Sequence, residues 1–554
     1  RGLGDVYKRQ AYNSKYKDAL KAYEKAIALE KDKAEFYLSS GIAKAKLGAY
    51  RPALDDFNRA IGIRDNYHQA FWERGNVRLT MEQYQKAIHD YYDVLDIKGD
   101  DSKVYRNLGE AYTELKKTEK AIANFDKAIE LDVNDTLSYL KRGDLYAEQQ
   151  KNMKAFDDYE KATQLDENCV MAHFGKANVR ASLKDYIGAI VDYEMAVSLD
   201  ESLTQAYFRI AILRINIGDY QGAIIDFDRA IHLMPDNKQA YYNRGLAKIN
   251  IKDYESALDD FNKLISMTKK YPDAYFQRAY ARQLLGQKER AIDDYSRAIS
   301  LQKGDMRAYK SRGLLRAELK RYKYALSDLD KAIKLDPNDK SLYVHRGDLY
   351  MAINNPDEAI DNYQQAIGID RKYALAYAKR GLGKMSEKNY TGALNDFNQA
   401  LRLNKDHKLS YIYRAKVYAA LSKYEKAIAD YSQALKIDSN YVEAYYERGN
   451  LNYWLKNYGM AINDFNKAIK IQPRNKDAYY YRGHSQMALG NWKTAIEDFD
   501  KALIIDKKDK LAFFNRAVAK DLTGDYMGAL DDYDKALQLD SKYTAVYFER
   551  AKIK

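Results

Sequence analysis

The residue types that carry out metal and nucleophilic chemistry are scarce in this sequence. Its 554 residues include seven histidines and one cysteine, Cys169, so no disulfide can form within the chain. No two histidines are four residues apart, the spacing that places two zinc ligands on one helical face. The phosphate-binding P-loop, the GxGxxG dinucleotide fingerprint and the GxSxG nucleophile elbow are also missing. We therefore expect a non-catalytic chain that binds no metal and no cofactor.

Charged residues offer a second kind of chemistry, because arginine and aspartate recur in register. Arginine occupies twelve of sixteen equivalent positions spaced 34 residues apart, and aspartate occupies thirteen of sixteen positions with the same spacing. The aspartate position lies 16 residues after the arginine position. The arginines are Arg74, Arg142, Arg244, Arg278, Arg312, Arg346, Arg380, Arg414, Arg448, Arg482, Arg516 and Arg550. The aspartates include Asp56, Asp90, Asp158, Asp226, Asp260, Asp294 and Asp328.

This arginine–aspartate register has two interpretations. Arginines aligned along one face would form a basic stripe for the phosphates of a nucleic acid. Alternatively, each arginine forms an ion pair with its aspartate across two antiparallel helices. Where Leu108 replaces arginine, Asn124 replaces aspartate, which favours ion pairs, although Arg346 is matched with Asn362. We expect structural ion pairs that fix the helix register, and nucleic-acid binding is thereby disfavoured.

Aromatic side chains recur at one position of the sequence in two runs of four. The first run consists of Phe174, Phe208, Tyr242 and Phe276, and the second of Tyr446, Tyr480, Phe514 and Phe548, with Tyr453 and Trp454 close to it. Clustered aromatic residues are typical energetic centres of protein interfaces. The alternative is that these rings fill gaps between adjacent repeats. Between the runs the equivalent positions hold Lys310, Val344, Ala378 and Ile412, so we predict two separate docking places for a peptide or helix.

A strict 34-residue period underlies all of these patterns. An aromatic residue recurs at Tyr23, Phe57, Tyr91, Phe125, Tyr159, Tyr193, Phe227, Phe261, Tyr295, Tyr363, Phe397, Tyr431, Phe465, Phe499 and Tyr533, with Leu329 at the one remaining position. Alanine stands four residues before all sixteen positions and three residues after fourteen of them. Residues 11–554 comprise sixteen such periods without an insertion.

The spacing of these residues predicts pairs of packed helices. Residues i, i+4 and i+7 share one helical face, so the two alanines flank the aromatic residue on the side that packs. Sixteen residues before the aromatic residue stands glycine or alanine, as at Gly41, Gly75 and Gly109. Because glycine is costly inside a helix, we expect it to mark the point where the first helix of each pair meets the second. Short connectors such as residues 47–50 join the two helices.

This pattern resembles the tetratricopeptide repeat (TPR) family in its period and its order of small and large residues, over essentially the whole chain. The resemblance implies an all-α fold, an α-solenoid in the form of a right-handed superhelix of about sixteen repeats. It also implies a concave groove that the aromatic runs face. Some family members clamp a C-terminal carboxylate with lysine and asparagine, but here the basic groove residues Arg106 and Lys310 are followed one turn later by Glu110 and Leu314. The resemblance therefore does not extend to that clamp.

The composition is that of a folded chain and indicates little else about the class of protein. The formal net charge is +12, from 92 basic and 80 acidic residues, and no basic block is present. No apolar run is long enough for a membrane-spanning helix. The sequence predicts no cellular compartment, because its first residues do not fit the rest of the chain.

Residues 1–10 do not fit the repeat that follows them. Back-translation of residues 5–10 gives a string that resembles the transposon end used in sequencing-library preparation. We interpret residues 1–10 as a translated adapter, a divergent natural segment being the alternative. The last residues, 551–554, interrupt a further first helix. We expect one solenoid domain over residues 11–554 that is truncated at both ends.

The function that these features favour is a scaffold or adaptor that presents a groove to protein or peptide partners. One alternative is a targeting arm of an enzyme whose catalytic domain lies outside this sequence. A nucleic-acid binder is a weaker alternative, for the reason given by the arginine–aspartate register.

Overall fold

The structure is a computed structural model that describes residues 2–553, with side chains from residue 15 onward. This described part contains thirty-two α-helices and no strand, which confirms the all-α fold class. The side chains of residues 1–10 lie outside the described part, so the interpretation of these residues as a translated adapter stays a prediction. The chain divides into two compact units, Arg1–Gly286 and Gln287–Lys554, called unit 1 and unit 2 below.

Sixteen helices make up unit 1. They are α1 (Gly2–Leu29), α2 (Ala34–Lys46), α3 (Tyr50–Ile63), α4 (His68–Thr80), α5 (Tyr84–Lys98), α6 (Ser102–Glu114), α7 (Thr118–Leu131), α8 (Thr136–Glu148), α9 (Asn152–Leu165), α10 (Val170–Ser182), α11 (Tyr186–Leu199), α12 (Thr204–Asn216), α13 (Tyr220–Leu233), α14 (Lys238–Asn250), α15 (Tyr254–Met267) and α16 (Pro272–Leu284).

The helices of unit 2 continue the same alternation. They are α17 (Lys288–Leu301), α18 (Met306–Glu318), α19 (Tyr322–Leu335), α20 (Lys340–Ala352), α21 (Pro356–Ile369), α22 (Ala374–Ser386), α23 (Tyr390–Leu403), α24 (Lys408–Ala420), α25 (Tyr424–Ile437), α26 (Val442–Trp454), α27 (Tyr458–Ile471), α28 (Lys476–Ala488), α29 (Trp492–Ile505), α30 (Lys510–Leu522), α31 (Tyr526–Leu539) and α32 (Thr544–Ile553).

Within each unit, successive helices pack in pairs, an even-numbered first helix against an odd-numbered second helix. The pair α14 and α15 shows how the predicted core residues act. Ala257, Phe261 and Leu264 are fully buried on α15. A Cβ atom added to Gly245 of α14 would lie only 2.7 Å from the Phe261 ring. The glycine therefore lets the first helix approach the ring, as the sequence predicts, and the stacked pairs form an α-solenoid.

A left-handed residue ends the first helix of each pair. It lies nine residues before the second-helix aromatic and is glycine at only some repeats, such as Gly218 with φ of 82°. Lysine often takes this position, as at Lys184 and Lys252, both with φ of 65°. The next amide closes the turn, since the Asp219 N–H donates to the Arg214 carbonyl at 2.8 Å. This is the helix-ending geometry that favours glycine, and many repeats here form it without one.

None of the described helices has the length and apolar character needed to cross a membrane.

Candidate functional site

The first aromatic run occupies one position on successive first helices of unit 1. We call the residues at this position, 19 residues before each second-helix aromatic, the groove row. Phe174, Phe208 and Tyr242 each contact the second-helix ring of their own repeat, with ring centroids 5.3, 5.7 and 6.2 Å apart. The interplanar angles of 64–66° are edge-to-face arrangements. All three rings are half-buried, as is Phe276 on α16, so each has a packed edge and an open edge.

A cavity of about 500 Å³ opens beside Phe208. Its apolar lining includes Ala181 of α10, Ile212 of α12 and Met234 after α13. Asn237 and the exposed Arg209 supply polar groups at the same cavity. Ligand pockets typically combine an apolar lining with a few polar groups that fix orientation. This cavity has both and lies within unit 1.

A hydrogen bond lies at the polar side of this cavity. The Tyr193 hydroxyl donates to Asn178 Oδ1 at 2.6 Å. Burial raises the pKa of Tyr193 to about 12, and the positive charge of Arg209 opposes that rise. Arg209 is thus positioned as a cation at the edge of an apolar cavity.

The second aromatic run lies in unit 2, and three of its rings are half-buried. Tyr446, Tyr480 and Phe514 contact their own second-helix rings at centroid distances of 6.3, 5.9 and 6.0 Å. Additional rings, Tyr481 and His484, fill the space beside Tyr480, with centroids 5.4 and 4.6 Å from its ring. We call the group Tyr446, Tyr453, Tyr480, Tyr481 and His484 the unit 2 ring cluster.

Polar groups in the unit 2 ring cluster are largely desolvated. Burial lowers the pKa of His484 to about 4, so its imidazole is neutral at pH 7. Burial also raises the pKa of Tyr480 well above its usual range, while the Asn515 side chain donates to its hydroxyl at 3.0 Å. Because these groups are buried and neutral, the cluster acts as an apolar packing element between adjacent first helices.

The remaining predicted partner-binding residues, Tyr453, Trp454 and Phe548, differ in their exposure to solvent. Trp454 is 68% exposed and Phe548 is 66% exposed. Tyr453 is half-buried and links Trp454 to the unit 2 ring cluster, with centroid distances of 5.4 Å to Trp454 and 5.9 Å to Tyr481. Phe548 lies on α32, where the Lys552 ammonium is 4.3 Å from its ring centroid. Trp454 and Phe548 therefore keep most of their surface available.

The two basic residues of the groove row are engaged by acidic neighbours. Arg106 donates to Asp135 at 2.9 Å. Lys310 donates to Asp339 at 3.1 Å and to Ser341 at 2.6 Å. Both aspartates also cap the N-terminus of the next first helix. These cations thus join adjacent repeats of one unit and are not open for an incoming carboxylate.

The arginine–aspartate register forms ion pairs between the two helices of a repeat, as expected. Arg142 donates to both carboxylate oxygens of Asp158, at 2.9 and 2.6 Å. An ion pair at the equivalent place is formed by the pairs Arg74–Asp90, Arg244–Asp260, Arg312–Asp328, Arg380–Asp396, Arg414–Asp430, Arg448–Asp464, Arg482–Asp498 and Arg516–Asp532. Arg346 donates to Asn362 at 2.7 Å, so the exception also pairs. We call this set the ion-pair ladder.

Each arginine of the ladder connects three helices. Arg142 on α8 contacts Asp158 on α9, and its third nitrogen donates to Asp126 on the preceding α7 at 2.6 Å. Its guanidinium carbon also lies 5.6 Å from the Tyr139 ring centroid, within cation–π range. The aspartate is 4% exposed. With its donors occupied, the arginine has a structural role, and a phosphate would have to displace these partners.

Sequence reasoning missed Arg209, Ile212, Tyr481 and His484. The first pair lines the cavity, and the second pair fills the corresponding space in unit 2. They lie one and four residues after the groove row, which places them on the same helical face. A comparison of these two further positions in every repeat would have found them.

Among the residues that the structure describes, no three His, Cys, Asp or Glu side chains approach one another as a metal site requires. Cys169 is half-buried directly before the first residue of α10.

Sequence profiles of known families match this chain repeatedly. Profiles described as tetratricopeptide repeat match residues 8–68, 102–135, 137–169, 208–275, 276–340, 442–475 and 477–509. A profile described as TPR repeat matches residues 347–383 and 415–456. Together the matches cover well over half of the 554 residues. No curated protein matches the sequence significantly.

Solved structures with similar architecture include three proteins of differing length. YrrB, described as a TPR protein with an unusual peptide-binding site, is 21% identical over 34% of this chain and 97% of its own, with a TM-score of 0.30. Cut9 in the Cut9–Hcn1 hetero-tetramer of the APC/C is 14% identical over 88% of this chain and 96% of that one, with a TM-score of 0.33. Yeast Tom70 is 18% identical over 83% of this chain and 96% of its own, with a TM-score of 0.35.

Proposed function

The chain belongs to the tetratricopeptide repeat family, a family of protein-interaction scaffolds, and on that premise we propose that it binds an extended peptide segment of a partner protein in the groove of unit 1. The scaffold itself carries out no catalysis in this proposal. Phe174, Phe208, Tyr242 and Phe276 supply the aromatic contacts. The cavity beside Phe208 supplies the specificity.

The observation that carries the proposal is this cavity of about 500 Å³ between consecutive repeats. The packed edge of each groove-row ring is fixed by its second-helix partner, so little side-chain entropy is lost when a ligand covers the open edge. A preorganised aromatic ring beside an apolar cavity is the arrangement found at energetic centres of interfaces.

The chemistry of the cavity defines the peptide that it fits. Ile212, Ala181 and Met234 suit one apolar side chain of the peptide. Arg209 at the edge suits a carboxylate within one or two residues of that side chain, because a guanidinium binds carboxylates through paired hydrogen bonds. Asn237 offers an amide to the peptide backbone. We therefore expect a ligand motif with an apolar residue next to an acidic one.

Unit 2 offers a second aromatic patch to a partner. Trp454 and Phe548 are exposed, and Tyr453 presents a half-buried ring next to Trp454. Tyr446, Tyr480 and Phe514 supply the base on which they rest. In the proposal this second patch adds contact area and has no specificity pocket of its own.

The ion-pair ladder argues against nucleic acid as the ligand of this scaffold. Its arginines would have to exchange a buried aspartate for a phosphate, and an unpaired buried carboxylate is costly. The remaining charge is spread over helix surfaces.

The proposal is tested with peptides selected from a random library displayed on phage against the whole chain. Selected peptides are synthesised with a fluorophore, and their dissociation constants are measured by fluorescence anisotropy. Ile212→Glu places a carboxylate in the cavity and should weaken binding about 10-fold or more, since burying a charge beside an apolar side chain costs over 1.4 kcal/mol. Ile504→Glu makes the same change at an exposed position of unit 2 and serves as the matched control.

Affinity for the selected peptides should be unchanged in Ile504→Glu. Equal binding to wild type and Ile212→Glu would exclude the cavity as the binding site. A salt-independent preference for peptides without acidic residues would exclude the role given to Arg209.

A further inference from the structure

A second cavity of unit 1 lies beside α6 and measures about 260 Å³. Leu79 of α4 and Tyr84 of α5 form its apolar wall, and both side chains are half-buried. Glu110 and Glu114 of α6 and Lys141 of α8 supply its charged groups. Four helices of one unit therefore line a cavity that combines an apolar wall with carboxylates.

Glu110 occupies the position in its repeat that Ile212 occupies in the proposed peptide cavity. Each stands four residues after the groove row, which holds Arg106 in one repeat and Phe208 in the other. The two residues are three repeats apart and lie on the same face of their first helices. The second cavity therefore opens onto the groove that the proposed peptide follows.

The fold gives the Glu110 carboxylate no partner. In the next repeat the equivalent carboxylate, Asp144, accepts a hydrogen bond of 2.8 Å from the hydroxyl of the second-helix aromatic Tyr159. The second-helix aromatic of the Glu110 repeat is Phe125, which has no hydroxyl. Within the described part of the chain, the Glu110 carboxylate forms no ion pair and accepts no hydrogen bond. It is therefore available to a ligand.

The surroundings of Glu110 leave its negative charge poorly compensated. Burial raises the pKa of the Glu110 carboxyl, and the charges of Lys141 and Arg106 oppose that rise without cancelling it. Arg106 is held by Asp135 at 2.9 Å. Lys141 forms no ion pair with any described residue. A half-buried carboxylate in this state gains from a cation that comes within hydrogen-bond distance.

The charge around the cavity is negative. Its lining holds two carboxylates, Glu110 and Glu114, and one ammonium, that of Lys141. Burial raises the pKa of Tyr91, and the nearby charges of Glu110 and Glu73 add to that rise, so Glu73 belongs to the same surroundings. A positively charged ligand group is therefore favoured here, and a carboxylate is disfavoured.

We propose that this cavity, called the cation cavity below, receives a lysine or arginine side chain of the peptide that binds in the unit 1 groove. The alkyl stem packs on Leu79 and Tyr84. The charged head group reaches Glu110 and Glu114. This inference rests on the proposed function and adds a basic residue to the ligand motif.

The size and lining of the cation cavity favour a single side chain over other cations. Pockets for small molecules have volumes of about 300–1,000 Å³, and this cavity is smaller. A metal ion needs several converging ligands, and no three His, Cys, Asp or Glu side chains of the described residues approach one another in that way. The apolar wall matches an alkyl stem, which a metal ion lacks.

The separation of the two cavities predicts the spacing of the ligand motif. Packed helices lie about 10 Å apart, so three repeats place Glu110 about 30 Å from Ile212 along unit 1. An extended peptide advances about 3.3 Å per residue, so we expect the basic residue about nine residues from the apolar one.

The test is a phage selection against the whole chain from random peptides of about 16 residues, long enough to span about 30 Å when extended. Wild type should enrich lysine or arginine at the expected distance from the apolar–acidic pair. Glu110→Gln keeps the shape of the side chain and removes its charge, so it should select the pair without the basic residue. Glu119→Gln makes the same change at an exposed position of α7 and should select as wild type does.

A substitution in a selected peptide gives a quantitative readout by fluorescence anisotropy. Norleucine in place of the basic residue keeps an alkyl stem and removes the charge. It should weaken binding to wild type about 5-fold, the upper end of what a partly exposed ion pair contributes. The same substitution should leave the affinity for Glu110→Gln unchanged.

Equal affinities of the two peptides for wild type would overturn the inference. So would a wild-type selection that yields the apolar–acidic pair without a basic residue, or a norleucine effect that persists in Glu110→Gln. Failure of the proposed function is distinguished by Ile212→Glu, which would then bind the selected peptides as tightly as wild type. Circular dichroism of each variant verifies that the helices are intact.

Discussion

The groove-row rings of the two units have different surroundings, although they occupy equivalent positions of their repeats. In unit 1, Phe208 borders an open cavity of about 500 Å³. In unit 2, Tyr480 is enclosed by Tyr481 and His484, whose rings lie 5.4 and 4.6 Å from its own. The repeat determines where the ring lies. The residues one and four positions later determine whether space remains beside it.

This difference assigns different roles to the two aromatic runs. Arg209 and Ile212 are a flexible and an aliphatic side chain, and they leave a lined cavity next to Phe208. Tyr481 and His484 are planar rings that pack on Tyr480 and on the second-helix ring. We therefore place ligand recognition in unit 1, and in unit 2 we expect the rings to stabilise the stacking of first helices.

We expect the largest loss of stability when an aspartate of the ion-pair ladder, which is present in both units, is removed. Asp260→Ala leaves Arg244 and Lys248 without their buried carboxylate, and it should lower the free energy of unfolding by about 3–5 kcal/mol. Asp464→Ala in unit 2 removes the partner of one cation, Arg448, and of the neutral Asn452 amide, and should cost less. Urea denaturation followed by circular dichroism measures both. Asp259→Ala, at an exposed neighbouring position, is the control.

A double-mutant cycle on Arg244 and Asp260 separates pairing from packing. We expect a coupling energy of about 1–3 kcal/mol, since the two side chains share one hydrogen-bond network. Zero coupling would mean that the ladder does not fix the register of the two helices.

The next effect compares the two groove-row rings directly. Tyr480→Ala removes a ring with three ring neighbours and a hydrogen bond from Asn515, and should destabilise unit 2 by about 3 kcal/mol. Phe208→Ala removes a half-buried ring beside an existing cavity and should cost about half as much. Denaturation midpoints measure both changes. Equal losses would remove the distinction drawn between the two runs.

A smaller effect depends on pH and is specific to unit 2. The pKa of His484 is about 4 in the folded chain, whereas an unfolded histidine has a pKa of about 6.5. Between these values the unfolded state binds a proton that the folded state excludes, so stability falls as pH decreases from about 6.5 to about 4. The loss at pH 4.5 relative to pH 7 should be about 2 kcal/mol from this group.

The control for this prediction keeps the ring and removes the titration. His484→Phe should lose about 2 kcal/mol less than wild type between pH 7 and pH 4.5, as measured by urea denaturation at each pH. The same acid-induced loss in both proteins would show that His484 is not the group responsible.

The sequence predicted the framework because its determinants repeat. The spacing of Gly245, Ala257 and Phe261 alone predicts a helix pair. The spacing of Arg244 and Asp260 predicts an ion pair between the two helices. The contact of Arg142 with Asp126 on the preceding helix was not predicted, because it depends on how neighbouring repeats are set against each other. The left-handed lysines, such as Lys252, were also missed, since glycine is the usual signal for that conformation.

The cavity could not be predicted for a related reason. It depends on the free volume between Phe208 of α12, Ala181 of α10 and Met234 after α13, which come from different elements. Periodicity indicates which side chains share a face, but not whether they fill the space in front of it. The groove row itself was assigned to the groove from the family resemblance, and its role in binding stays a prediction.

Hydrogen–deuterium exchange of the whole chain, with and without a saturating selected peptide, tests the central claim most directly. Binding in the unit 1 groove predicts slower amide exchange in α10, α12 and α14, the helices that carry Phe174, Phe208 and Tyr242, with little change in α26 and α28. Protection confined to the helices of unit 2, or to the outer second helices α11 and α13, would contradict the account.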